Sequence, residues 1–180
     1  MIYVVGCNHE IQHRDDSASV DPLRMDQRSH FAELLERIMN GDCIQFVGEE
    51  WGRPYATIAR DLAESYRVPW VNINTSVEDR RRIGIPAGDY ALEPYTKQQK
   101  ELWDREREKF MVHQIARNRG AAQNLLVVCG LTHLKWLSDL LGQDGNQVNV
   151  VDYRKLPWHR DVFLDERQLD SLIKDLSSRS

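Results

Sequence analysis

Short apolar runs alternate along the chain with longer stretches of helical period. Ile2, Tyr3, Val4 and Val5 form a β-branched and aromatic run closed by Gly6, the pattern of a buried strand. A polar stretch rich in Asp, Ser and His follows, broken by Pro22. From about Asp26, the residues Phe31, Leu34, Leu35, Ile38 and Met39 recur at three- and four-residue steps until Asn40-Gly41 stops them. Residues 43–47, closed by Gly48, predict a second strand. Pro54 suits the first turn of a helix whose stripe is Ile58, Leu62 and Tyr66. Pro69 precedes a third strand over 70–73. No regular period follows in 74–96, which Gly84, Pro86, Gly88 and Pro94 punctuate, so 74–97 is expected to be a long loop or lid. A long helix over 98–119, an apolar strand over 125–129, a helix over 132–141, a fifth strand over 147–151 and a terminal helix over 164–176 complete the pattern.

Strands that alternate with helices pair in parallel, with the helices on both faces. The expected fold is therefore α/β: a single domain with a mainly parallel sheet of about five strands. There is no internal repeat, low-complexity tract or linker, which makes 1–180 one unit. Composition agrees, since 41% hydrophobic and 29% charged residues over 180 positions are ordinary for a globular domain.

The remaining composition narrows the class. The longest apolar run, 125–131, is far short of a membrane span, and residues 1–6 lack a signal peptide's basic start. Three cysteines, Cys7, Cys43 and Cys129, cannot all pair, which points to a reducing cytoplasm. The net charge of −4 argues against a dedicated nucleic-acid binder. An enzyme or a small-ligand protein remains.

In parallel α/β sheets the ligand site lies beyond the carboxyl ends of the strands. Gly6-Cys7-Asn8-His9 follows the first strand, Gly48-Glu49-Glu50-Trp51-Gly52 the second, and Gly130-Leu131-Thr132-His133 the fourth. Ten glycines and six histidines in 180 residues would give roughly a third of one Gly-x-x-His match by chance, yet two occur, each after an apolar strand. Each glycine is expected to turn the chain sharply out of the sheet and each histidine to sit at its mouth. Imidazoles and a carboxylate from different strands suit a divalent transition metal, Mn, Zn, Co or Fe. His9, His133 and Glu49 are the expected ligands. Adjacent side chains diverge, so one of Glu49 and Glu50 faces the site; Glu49 comes soonest after the glycine, and the other could deprotonate a water. Against this, His9 could bond within its loop, His133 could be satisfied by backbone, and both glutamates could serve a helix start.

Arg107 lies on or beside the apolar stripe of the long helix, with Trp103, Phe110 and Met111 at helical steps. A guanidinium there needs an anionic partner from the protein or a substrate, or else it snorkels outward. Glu106 could be that partner, and Glu108 is expected to face solvent. Arg80-Arg81-Arg82 in the long loop could meet phosphate or carboxylate, but reads mainly as solvated surface. Gly-x-Ser-x-Gly and the common nucleotide loops are missing, and Cys7 is a poor nucleophile candidate.

Taken together, these motifs resemble the superfamily of TIKI, TraB, PrgY and GumN proteins and of erythromycin-esterase-like and ChaN-like proteins. The likeness rests on the two Gly-x-x-His motifs, the glutamate after an early strand, and Arg107 on the helix before the second motif, and it spans residues 2 to about 150. It is nearest to the superfamily's small bacterial and phage members. The resemblance implies an α/β fold with a polar site built from the histidines, glutamate and arginine, and in some relatives a metal-dependent hydrolysis. The chain is shorter than the membrane-tethered proteases and lacks their anchor, which favours a small-molecule or peptide substrate.

The function expected is thus a metal-dependent hydrolase, with Glu49, Glu50 and Arg107 as catalytic residues and His9, Glu49 and His133 holding the ion. The rival expectation is a non-catalytic pocket for an anionic or planar ligand, nucleotide-like or haem-like, with Trp51 and Trp103 nearby. A role in assembly through oligomer contacts is a third.

Overall fold

The apolar runs pair as five strands: β1 (Ile2–Cys7), β2 (Phe46–Glu49), β3 (Trp70–Asn72), β4 (Leu125–Gly130) and β5 (Val148–Asp152). All pairings are parallel, in the order β3-β2-β4-β1-β5. The computed structural model describes residues 1–13, 22–53, 56–88, 94–143 and 145–156. Pro54 and the helix expected over 164–176 lie outside the described residues. Every residue of β4 is buried, as its unbroken apolar run requires of a strand covered on both faces.

Six helices join the strands among the described residues: α1 (His9–Gln12), α2 (Pro22–Gly41), α3 (Ile58–Ser65), α4 (Val77–Arg82), α5 (Lys97–Asn118) and α6 (Leu134–Gln143). Pro22 starts α2 rather than breaking the chain before it, since its fixed φ suits a first turn. Helix α3 starts at Ile58, where the Thr57 hydroxyl caps it by accepting from the Arg60 N–H at 3.1 Å. The segment expected to lack regular structure contains α4. Ser76 and Asp79 form a capping box there, but none of the helix's six residues is buried, so no apolar period could announce it.

The sheet separates two cores. On one face Phe31, Leu35, Ile38 and Met39 of α2 and Ala59 and Ala63 of α3 pack on Val5, Val47, Leu126 and Val128. On the other, Met111 and Ile115 of α5 and Leu134, Leu137 and Leu141 of α6 pack on Ile2, Val4, Phe46, Leu125 and Val127. The connection from β1 therefore leaves on the α2 face and passes β4 to reach β2. The connection from β4 leaves on the α6 face and passes β1 to reach β5. Adjacent strands whose connections diverge in this way leave a crevice at their carboxyl ends. Both Gly-x-x-His motifs end there.

Candidate active site

The motif glycines serve proximity, not turning. Neither has a positive φ; among the described glycines only Gly84, Gly120 and Gly145 do. A Cβ on Gly6 would lie 2.7 Å from Leu134 Cδ2 and 2.9 Å from Leu134 Cβ, so its absence lets α6 close on β1. A Cβ on Gly130 would lie 2.9 Å from His9 Nε2 and 3.3 Å from Glu50 Oε2. The glycine of the second motif makes room for the histidine of the first.

Glu50 is the hub. It is buried, and its Oε1 accepts from Arg107 Nη2 at 2.6 Å while its Oε2 accepts from the Gly130 N–H at 2.8 Å. His133 Nε2 stands 3.5 Å from Oε1 and His9 Nε2 4.0 Å from Oε2. Burial pushes the Glu50 carboxyl up, but the positive charge of His133, Arg107 and His9 and the Gly130 N–H outweigh it and leave the pKa below its ordinary value. Arg107 Nη2 also donates to Asn74 Oδ1 at 3.2 Å, so the arginine ties β2's end to the chain after β3. His9, Glu50, Arg107 and His133 are thus brought together.

Glu49 does not join them, which corrects the choice of it as the metal ligand. It ends β2, and alternation along the strand turns it to the α2/α3 face. Its Oε2 accepts from Thr57 Oγ1 at 2.5 Å and from Trp70 Nε1 at 2.9 Å, and its side chain is fully buried. Desolvation raises its pKa to about 7, and the two hydrogen bonds only partly offset that.

Glu108, expected to face solvent, is instead fully buried and holds His133: Nδ1 of the ring lies 3.0 Å from Glu108 Oε1. Arg105 Nη1 donates to the other oxygen, Oε2, and its guanidinium stacks 3.8 Å from the Trp136 ring centroid. Glu106, named as the partner for Arg107, pairs with Lys109 at 2.6 Å. A signal for Glu108 does exist in the sequence, because residues 108, 111 and 115 share one helix face and the latter two are apolar. His9 Nδ1 is engaged more lightly, 2.7 Å from Gln12 Oε1 one turn along α1, and its side chain is 44% exposed against 3% for His133.

These groups open on a cavity of about 500 Å³ lined also by Trp51, Gly52, Arg53, Asn74, Arg80, Lys100, Asp104 and Thr132. Arg80 is on its wall, whereas Arg81 and Arg82 are exposed as expected of the triplet. Trp103 packs edge-on against Tyr95 at 4.7 Å and is not part of the wall. Cys7 is buried, which pushes its thiol well above the ordinary range and suits no nucleophile.

The donor types of a divalent-metal site, two imidazoles and a carboxylate, are present. Among the described residues no group of three or more His, Cys, Asp or Glu side chains is set to hold a metal ion. Arg107 and the Gly130 N–H already engage both oxygens of Glu50, and Glu49 is on the far face. No described helix is long and apolar enough to cross a membrane. Comparison of the chain with family models, curated proteins and solved structures finds no match.

Proposed function

We propose that the chain is a hydrolase of a small molecule or peptide, with His133 Nε2 as the group that takes up and returns a proton at the cavity. One observation carries this reading: His133 is buried with Glu108 behind it at 3.0 Å and the cavity before it. A carboxylate at Nδ1 fixes that nitrogen as the proton-bearing one and directs Nε2 at the cavity. A passive core histidine would need no charged partner of this kind, and Glu108 is itself held by Arg105.

The remaining residues have positioning roles. Arg107 holds Glu50, Glu50 holds the Gly130 backbone beside His9, and Gln12 holds His9 at Nδ1 so that the ring lines the cavity. Residues 74–97 would act as the lid, to which Asn74 and Arg80 already contribute wall; 89–93 lie outside the described residues. A metal-dependent form of the reaction would use the same two Nε2 atoms and require Glu50 to exchange its present partners. The superfamily likeness belongs to this proposal, as does a cytoplasmic setting, which the three free cysteines suit.

The test is a panel of small esters, amides and phosphate esters, run on chelator-treated protein. Turnover is expected, with His133→Asn lowering kcat by about 10³, within the usual range for a general acid–base group, and His9→Asn by about 10, below that range as a positioning role implies. Activity lost on chelation and restored by Mn, Zn, Co or Fe would transfer both histidines to metal ligation. No turnover under either condition would leave the pocket as a binding site for an anionic or planar ligand.

A further inference from the structure

Asn74 is held through both its backbone and its side chain. The backbone N–H donates to Asn72 Oδ1 at 2.9 Å, and the side-chain Oδ1 accepts from the Thr75 N–H at 2.8 Å and from Arg107 Nη2 at 3.2 Å. A backbone N–H and a guanidinium can only donate, so the amide has one orientation, with its oxygen as the engaged end. The other end, Nδ2, donates to no group among the described residues. It lies beside Gly52, where a Cβ would stand 3.3 Å from it. Asn74 and Gly52 both line the cavity, and the missing side chain at 52 leaves room at this nitrogen.

The same amide is linked to the acid–base end of the site. Arg107 Nη2 donates to Glu50 Oε1 at 2.6 Å as well as to Asn74, and His133 Nε2 stands 3.5 Å from that carboxylate oxygen. Only a guanidinium and a carboxylate thus separate the amide from the imidazole. Asn72 steadies the arrangement: its Nδ2 donates to the Trp51 carbonyl at 2.7 Å, and its Oδ1 accepts from the Trp51 N–H at 3.3 Å. The chain after β2 and the chain after β3 are tied together in this way. A neutral donor whose direction is fixed in advance needs no reorganisation when charge develops on an oxygen in front of it.

We propose that Asn74 Nδ2 is the oxyanion donor of the hydrolysis and that the substrate is a carboxylic ester or amide. This rests on the acid–base reading of His133 given above and names the substrate class of that site. Water attacks the carbonyl carbon and gives its proton to His133 Nε2, while the C=O electron pair moves onto the oxygen, where Nδ2–H stabilises it. The pair then returns to re-form C=O, the bond to the leaving oxygen or nitrogen breaks, and that atom takes the proton from Nε2. A single neutral donor of set direction matches the one oxygen on which charge develops in acyl transfer. A phosphoryl centre spreads its charge over three oxygens and calls for more donors.

Asn74→Asp is the variant that tests this, because it keeps an oxygen for Arg107 and the Thr75 N–H and removes only the donor. With the full chain and p-nitrophenyl acetate, its kcat is expected to fall about 10², with KM within about threefold of the parent's. Asn74→Ala should fall as far. A merely structural role as acceptor would instead spare Asn74→Asp and impair Asn74→Ala. Binding gives a readout apart from turnover: the Asn74 side-chain amide resonance, identified by its loss in Asn74→Ala, should shift on titration with trifluoroacetophenone hydrate, a tetrahedral mimic of the intermediate. Where the acetate is not turned over, that shift alone decides. An Asn74→Asp variant with parental kcat, or an amide resonance unmoved by the hydrate, would overturn the inference, and faster turnover of p-nitrophenyl phosphate than of the acetate would overturn the substrate class. His133→Asn at parental kcat, with Asn74→Asp impaired, would remove the acid–base reading and leave the donor in place.

Discussion

Glu49 and Glu50 are neighbours in sequence, alike in chemistry and both buried, yet they belong to different regions of the molecule. Glu49 is on the α2/α3 face, where two neutral donors hold one of its oxygens and desolvation lifts its pKa to about 7. Glu50 is on the α5/α6 side, where Arg107, His133 and His9 hold its pKa below the ordinary value in spite of burial. What separates them is the two-residue alternation of a strand and the choice of helix that covers each face. Helix α5 sets Arg107 against Glu50. A buried carboxylate thus becomes part of a site through its neighbours, not through its own burial.

The largest effect should come from truncating each in turn. Glu50→Ala takes the carboxylate away from the half-buried Arg107 and from the buried Gly130 N–H and is expected to destabilise by about 3–5 kcal/mol. Glu49→Ala leaves the Thr57 hydroxyl and the Trp70 indole N–H without their acceptor and should cost about 1–2 kcal/mol. Urea midpoints at constant m-value check both, and equal losses would break the comparison.

The pH dependence should differ in sign. The native state binds the Glu49 proton more tightly than the unfolded chain, so its contribution is full below the ordinary carboxyl pKa of 4.5 and fades as pH rises towards 7. The difference is on the order of 3 kcal/mol. Glu50 contributes the opposite slope, with stability present above 4.5 and lost as pH falls through its lower native pKa. Stability measured from pH 4.5 to 7.5 should flatten in Glu49→Gln; an unchanged slope would remove the assignment.

A smaller contrast separates the motif glycines. Gly6→Ala drives a methyl into Leu134 Cβ, which α6 holds rigidly, and should cost about 1–3 kcal/mol. Gly130→Ala meets the far end of the half-exposed His9 ring, which can swing aside, and should cost less than about 1 kcal/mol while disturbing the site. Thermal unfolding of the two variants gives the order directly.

Much of this was legible in the chain. The apolar runs and helical stripes define the five strands and most of the helices, because burial on both faces of a sheet demands such patterning. The Gly-x-x-His pair and Arg107 could be singled out because strand ends and polar residues on an apolar stripe are visible without coordinates. Helix α4 was not legible, since an exposed helix closed by its own capping box leaves no apolar period. The burial of Glu108 was not legible although it shares the face of Met111 and Ile115, because a carboxylate on an apolar stripe makes sense only once the His133 that it meets is known.

By itself, then, the sequence determined the strands and most of the helices, their parallel pairing and the delivery of two histidines and two glutamates to one edge, since periodicity and connection length are local properties of the chain. Only the tertiary structure decided that Glu50 rather than Glu49 meets Arg107, that Glu108 backs His133, and that Arg80 joins the wall. Each of those contacts unites residues from elements distant in the chain. Which face of the sheet each element covers is settled by packing that no single segment encodes.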